Sequence, residues 1–395
     1  MKQLRLRSLG LFDEQLMPEW FVADLHEIDF QDIDGDPQSE DVRSDLTGNT
    51  ALFGSEAAGE EHREALEEQG VLFCDMDTAM RKHPRLVREH FGTVVPPGED
   101  NFADLNTSIW TGGSFVYVPS GVEVAIPLQS DFPTHFATGG QFRRTLIIAE
   151  EGSKVRYIEG CSAPVYTKNA LRCAVVEIVV KPNARVSYTA MQNWSHNVDN
   201  FVINQARVEA GAHVDFVDID IGAKLTAKYP AIYLVGNGAS GEVRSVSYAG
   251  SGQHQETEAK IVHAAPNTHS KIVSKSVSQQ SGTTPYRCLV RVDEGATQAA
   301  GVLSCEALLI DEQSVALAPP DLEIAEKDAQ ITHDATVSKI TEGQLFYLMS
   351  RGLSSEQSMG LIVNGFIEPI TQTLPMEYAV EWNRLIDLQM EGSIG

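Results

Sequence analysis

The chain has 395 residues, with 55 acidic side chains against 30 basic ones, a formal net charge of −25, and 42% hydrophobic residues. Such an acidic excess argues against a nucleic-acid groove, which must neutralise phosphates, and against binding to an anionic membrane surface. The length allows two or three domains, no apolar run is long enough to span a bilayer, and five cysteines without a CxxC pair make neither a disulfide framework nor a zinc knuckle. The thiols are expected to be free and the protein cytoplasmic.

The N-terminal MKQLRLRSLG is basic, as a signal or transit peptide would be, but LFDEQLMPEW follows with acids and a proline in place of an apolar run. Residues 28–50 are acidic and turn-rich and read as a linker or extended arm. Residues 55–96 read as helices, with SEAAGEEHREALEEQG opening on Ser55 and closing on Gly70. Residues 1–100 are therefore assigned to an N-terminal arm and helical region.

From about residue 105 the chain becomes strand-like, and a turn followed by an alternating strand recurs: EEGSKVRY, KPNARVSY, EAGAHVDF. The first apolar residues after the turns, Val155, Val186, Val214, Val243, Ile272 and Ile331, are 28 to 31 residues apart, the last interval being two steps with a weak copy near Gly301. A fixed period of this size predicts stacked units, here a parallel β-helix over 101–340, with barrels and sandwiches as the alternative. Residues 341–395 return to helix: Thr341-x-x-Gln344 and Ser354-x-x-Gln357 are capping boxes, Gly352 sits at a C′ position, and Pro375 opens the last helix. The apolar GLIVNGFIEPI either packs on the solenoid or receives a partner.

GNGASG matches G-x-G-x-x-G but precedes the strand EVRSVSY rather than a helix, so it reads as a solenoid turn. No G-x-x-x-x-G-K-[ST] motif occurs, so nucleotide hydrolysis would require another chain. Asp215, Asp218 and Asp220 read as solvated residues of one strand rather than a glycosidase pair. His196, His254, His263 and His269 show no ligand spacing.

Cys305, in GVLSCEALLI, follows the apolar alternation of its strand and alone reads as a core residue. His333 and Asp334 lie 28 and 29 residues later, about one coil, which predicts a thiol, an imidazole and a carboxylate on neighbouring rungs, about 4.8 Å apart. These side chains are iron or zinc ligands. Cys161 lies 144 residues before Cys305, five repeats, hence on the same side roughly 24 Å away. Cys173 and Cys288 are also in phase, so phase alone does not single out a thiol.

With these residues in hand, the sequence resembles the SufB/SufD family of iron–sulfur cluster assembly proteins. The resemblance is carried by GVLFCDMDTA, GGSFVYVPSGV, GQFRRTLIIAEEGS, YIEGCSAP, QNWS, DATVSKI, LPMEYAVE and EGSIG. It implies a right-handed parallel β-helix between helical ends. It also implies a non-enzymatic scaffold whose C-terminal helices dock a SufC-like ABC ATPase. The partners it implies are a second copy or another SufB/SufD-type chain, a sulfur donor protein and acceptor apoproteins. The cargo is a transient iron–sulfur cluster, with reduced flavin a further cofactor of the complex. By that resemblance Cys161 accepts sulfur as a persulfide, and Cys305, His333 and Asp334 hold the nascent cluster. Two departures are visible: THDA stands where the family reads EHEA, and FPTH at Phe132–His135 lacks an arginine associated with the internal sulfur path. The alternative within the family is a SufD-like partner that binds the ATPase without carrying a cluster alone.

Overall fold

The computed structural model describes residues 1–14, 64–133, 140–162 and 170–391. The acidic stretch read as an arm, the opening of the helix expected from Ser55, and Thr134 and His135 lie outside the described residues.

Among the described residues, eighteen strands form two sheets that face each other across a long interior. The first sheet contains β1 (Leu72–Asp75), β2 (Ser114–Val118), β4 (Gly140–Ala149), β6 (Ala170–Val180), β8 (Val198–Val208), β10 (Leu225–Leu234), β12 (His254–His263) and β14 (Thr283–Val292). It ends in the short β16 (Val315–Leu317) and β17 (Pro320–Ile324), both paired with β14. The second runs β3 (Leu128–Pro133), β5 (Lys154–Ser162), β7 (Arg185–Trp194), β9 (His213–Gly222), β11 (Ser240–Ala249), β13 (His269–Ser278), β15 (Ala300–Leu309) and β18 (Gln330–Lys339). The chain alternates between sheets, and every pairing except β1–β2 is parallel. This is a parallel β-solenoid, not a barrel or sandwich.

One corner repeats along the stack. Gly152, Asn183, Gly211, Gly238, Asn267 and Gln298 all have left-handed φ values between 57° and 71°. Glycine and asparagine tolerate that conformation best, which is why turn residues punctuate the sequence at the coil period. Each corner residue from Gly152 to Asn267 donates its backbone N–H to a carbonyl of the next coil, such as Asn183 to Ala210 at 2.9 Å. The following position is small and fully buried: Ser153, Ala184, Ala212, Ala239, Thr268. GNGASG, between β10 and β11, is one of these turns, and a Cβ on Gly236 would lie 2.0 Å from the nitrogen of Ala210.

The inner faces carry alternating apolar side chains such as Val176, Ile178, Val214, Phe216, Ile272 and Leu303. The outer face of the first sheet is covered at its N-terminal end by α1 (Lys2–Glu14), α2 (Met76–Lys82), α3 (Pro84–His90) and α4 (Asn101–Ile109), with Phe102 stacked on Phe201. The basic N-terminus is thus helix α1, whose Arg5 lies over Trp110. The region expected to be helical also contains β1, an edge strand on β2, because the short run VLFC gains a sheet partner.

The outer face of the second sheet is covered by α6 (Ser355–Thr371) and α7 (Met376–Glu391), which follow α5 (Glu342–Met349). Both capping boxes form, and Gly352 has φ +97°. The carbonyl of Pro375 accepts from Tyr378 and Ala379 as the last helix begins. Of GLIVNGFIEPI, Val363, Ile367 and Ile370 are buried among Ile219, Val246 and Tyr248, so that face packs on the solenoid.

Candidate functional site

Strand register decides which side chains meet. Cys305 pairs with Ala335, not His333; His333 pairs with Leu303 and Asp334 with Ser304. The step from β15 to β18 is 30 residues, two more than the interval from Cys305 to His333. Cys305 and His333 still share the inner side of the sheet, displaced by two residues along neighbouring strands. Asp334, one residue on, has the opposite parity and is exposed. The single chain therefore brings Cys305 and His333 to one side and leaves Asp334 on the other. Nε2 of His333 is buried without a hydrogen-bond partner among the described residues.

Cys305 lies inside the solenoid at 2% exposure, and its Sγ is 2.8 Å from Sγ of Cys288. Cys288 comes from β14 in the opposite sheet, so the two thiols meet across the interior. The hydrogen bond with Cys305, then burial, push the Cys288 thiol well above its usual range. Cys173 does not share this column: it lies on the outer face under α4 and donates to the carbonyl of Phe102 at 3.3 Å. Cys74, in β1, is raised to about 11 by burial and then by Asp75.

Cys161 occupies a backbone position in β5 paired with Phe132 and Gln192. Its column continues through Asp220, Ser247 and Ser276 to Ala307. The adjacent inward column runs from Glu159 through Ala190, Asp218, Ser245 and Ser274 to Cys305. Five coils separate the backbone positions of Cys161 and Cys305, and the two are displaced by two residues in register. The phase of the repeat slips twice: Val243 pairs with Phe216 while Val214 pairs with Gly241, and Ile331 pairs with Gly301 while Ile272 pairs with Leu303.

These columns, with the facing side chains of the first sheet, form a polar lane through the core. Arg172, fully buried, holds Glu159 at 3.1 Å and Asn200 at 3.0 Å. Tyr188 donates to Glu159, and Gln192 accepts from Asn200 at 2.7 Å and from the Trp194 indole at 3.0 Å. One coil on, Lys228 lies between Asp218 at 3.1 Å and Asp220 at 2.7 Å, all three buried. Burial works to lower the Lys228 pKa, but the two carboxylates prevail and hold it raised; burial raises Asp220. Further on come Gln255, Thr257, Ser274 and Tyr286, the last beside Ser245 and close enough to feel both thiols. Oδ1 of Asn204, Oδ2 of Asp218 and Oε1 of Gln255 have no hydrogen-bond partner among the described residues. Buried polar atoms of this kind serve solvent or a ligand that enters.

Asp218 and Asp220 are therefore interior residues, not solvated ones; only Asp215 faces outward, bridged to His213 and Arg244. The missed signal was parity. In HVDFVDIDIG the two acids continue the alternation of Val214 and Phe216. Arg172, Lys228 and Cys288 share the inward parity of their strands in the same way. Among the four histidines, His263 is satisfied, with Nδ1 at 2.7 Å from Thr268 Oγ1 and Nε2 at 2.8 Å from Ser270 Oγ. Among the described residues no group of three His, Cys, Asp or Glu side chains is gathered in one chain to hold a metal ion, and no helix is long and apolar enough to cross a membrane.

Residues 133–366 match the family described as "SUF system FeS cluster assembly, SufBD core domain", and residues 45–130 match "SufBD protein N-terminal region". The iron–sulfur cluster assembly protein SufB of Bacillus subtilis is 44% identical, over 100% of this chain and 90% of its own length. Iron–sulfur cluster assembly SufBD family proteins of Staphylococcus epidermidis and Staphylococcus haemolyticus are 44% identical with the same coverage. The chain belongs to the SufBD family, and its general role is in iron–sulfur cluster assembly.

Proposed function

We propose that the chain is the scaffold on which a cluster is built: it accepts sulfur at Cys161, conducts it along the polar lane, and assembles it with iron at Cys305 and His333. The lane carries this reading, because it joins the coil of Cys161 to the coil of Cys305 through a core that would otherwise be apolar. Burying Arg172, Lys228 and their carboxylates costs several kcal/mol per ion before pairing. An apolar filling would be at least as stable, so a passage for a polar or anionic sulfur species accounts for retaining them. The free Nε2 of His333 suits a metal ligand, and thiolates are the usual ligands of iron in clusters.

The ligand set is completed by a second copy. β18 ends its sheet, and Val302, Val315, Leu317, Leu322, Ile324 and Val337 around this end of the solenoid are more than 40% exposed. An open edge strand beside exposed apolar residues is a surface for pairing. Joining two copies there brings both His333 side chains, with Asp334 at the rim, to one interface. Phe346, Tyr347 and Met349 of α5 and Met376 and Val380 of α7 are also exposed and offer an apolar platform for an ABC-type ATPase. The sulfur donor, the acceptor apoproteins and a reduced flavin act from outside this chain. Anaerobic reconstitution with iron and sulfide should give the visible absorbance of a cluster on the wild type and lose it in Cys305→Ala. Equal loading of both removes Cys305 from the ligand set.

A further inference from the structure

Cluster sulfur is sulfide, whereas a persulfide delivers sulfur two electrons more oxidised. A route that ends at Cys305 therefore needs a reductant there, and the structure places a thiol in contact with it. We propose that Cys288 is a resolving thiol, which discharges sulfur carried on Cys305 as sulfide and leaves a Cys288–Cys305 disulfide. The step rests on the reading of Cys305 as the end of the sulfur route and adds the chemistry that route requires.

The geometry selects this outcome over simple passage of sulfur to Cys288. Sγ of Cys288 lies 2.8 Å from Sγ of Cys305 itself, the inner sulfur of a persulfide formed there. Attack on the inner sulfur expels the outer one, whereas attack on the outer sulfur would only move the persulfide. A disulfide bond is about 2.05 Å long, so the two sulfurs need close by less than an ångström. The thiols come from opposite sheets, each strand fixed by ladders to its neighbours. Both belong to the buried core of the solenoid.

The balance is complete within the chain: Cys305–S–S⁻ and Cys288–SH give the Cys288–Cys305 disulfide and HS⁻. The bond between Cys305 Sγ and the carried sulfur breaks, and its electron pair leaves with that sulfur. The new bond joins the two Sγ atoms, and the proton of Cys288 passes to the departing sulfide. The carried sulfur is reduced by two electrons and the cysteine pair is oxidised by two. A dithiol reductant then supplies two electrons and two protons to restore both thiols before the next turnover.

The test uses the full chain under anaerobic conditions, treated with glutathione persulfide, desalted, alkylated and mapped by non-reducing peptide mass spectrometry while free sulfide is measured. Wild type should release sulfide and yield the Cys288–Cys305 cross-linked peptide. Cys288→Ser should retain the extra sulfur on Cys305 and lose sulfide release, and Cys288→Ala should do the same, with both variants keeping the wild-type circular dichroism and thermal midpoint. Sulfide release from the serine variant equal to wild type, or a persulfide that persists on Cys305 in wild type, overturns the resolving role while leaving the sulfur route intact. Absence of added sulfur on Cys305 in all three proteins overturns the route and the resolving role together.

Discussion

Lys228 meets two carboxylates in a fully buried position, and His263 meets two hydroxyls in another; both are polar groups the core tolerates because partners are in place. For His263 the consequence is a pH dependence. Burial, followed by the nearby His269, lowers its pKa from 6.5 to about 4. The unfolded imidazole takes up a proton near the ordinary value while the folded one resists. Stability from this residue is thus present above pH 6.5 and lost as pH falls toward 4. The full effect is on the order of 3 kcal/mol for a shift of this size. Urea midpoints of the wild type should fall across that window, and His263→Gln, which keeps an acceptor and a donor, should flatten the fall. An unchanged slope in the variant would assign the acid sensitivity to other groups.

At the scale of elements, one residue of β6 fastens the segment between α3 and α4 to the solenoid. Glu177, fully buried, accepts the backbone N–H groups of Gly92 at 2.9 Å and of Val94 and Val95 at 3.1 Å. It also pairs with Arg144 at 2.6 Å, whose guanidinium reaches Thr107 and lies over Phe91. Removing one partner of such a pair strands a buried charge and costs about 3–5 kcal/mol. Glu177→Ala is expected to lower the urea midpoint by that order and to expose the segment around residues 92–95 to protease, while the C-terminal helices remain protected. Cleavage spread evenly over the chain would contradict a local role. The motif GQFRRTLIIAEEGS, which contains Arg144, thus holds a structural lock as well as strand β4.

At the scale of the whole molecule, β18 leaves an open edge at the C-terminal end of the second sheet. Gln330 and Ile340 donate to Ala299 and Leu309, so by the alternation of a parallel ladder the odd-numbered residues of β18 direct their N–H groups to the free edge. Proline is tolerated where an edge N–H faces away from the sheet. Val337→Pro should therefore leave the β15–β18 ladder formed yet block strand addition by a second copy. Sedimentation velocity is expected to give a dimer for wild type and a folded monomer for the variant. A variant that remains dimeric places the interface elsewhere, and one that loses its strand signal by circular dichroism marks β18 as essential to the solenoid itself.

Local rules act between near neighbours, and those the sequence determined by itself: the coil period, because each corner needs a left-handed residue; the two capping boxes; the Gly352 stop; and which thiols and imidazoles exist to be used. Register was decided only in three dimensions. Coil steps vary from 26 residues between β8 and β10 to 32 between β14 and β16, and a difference of two moves a side chain to the next inward column. Hence Cys305 lies opposite Ala335 although His333 is nearly one period away, and Cys288, which phase alone did not single out, becomes its closest sulfur. The polar lane has the same origin. Acids and bases scattered along β5, β6, β9 and β10 become one column only when two sheets close face to face, because the energy that pairs them depends on distance across the interior and not along the chain.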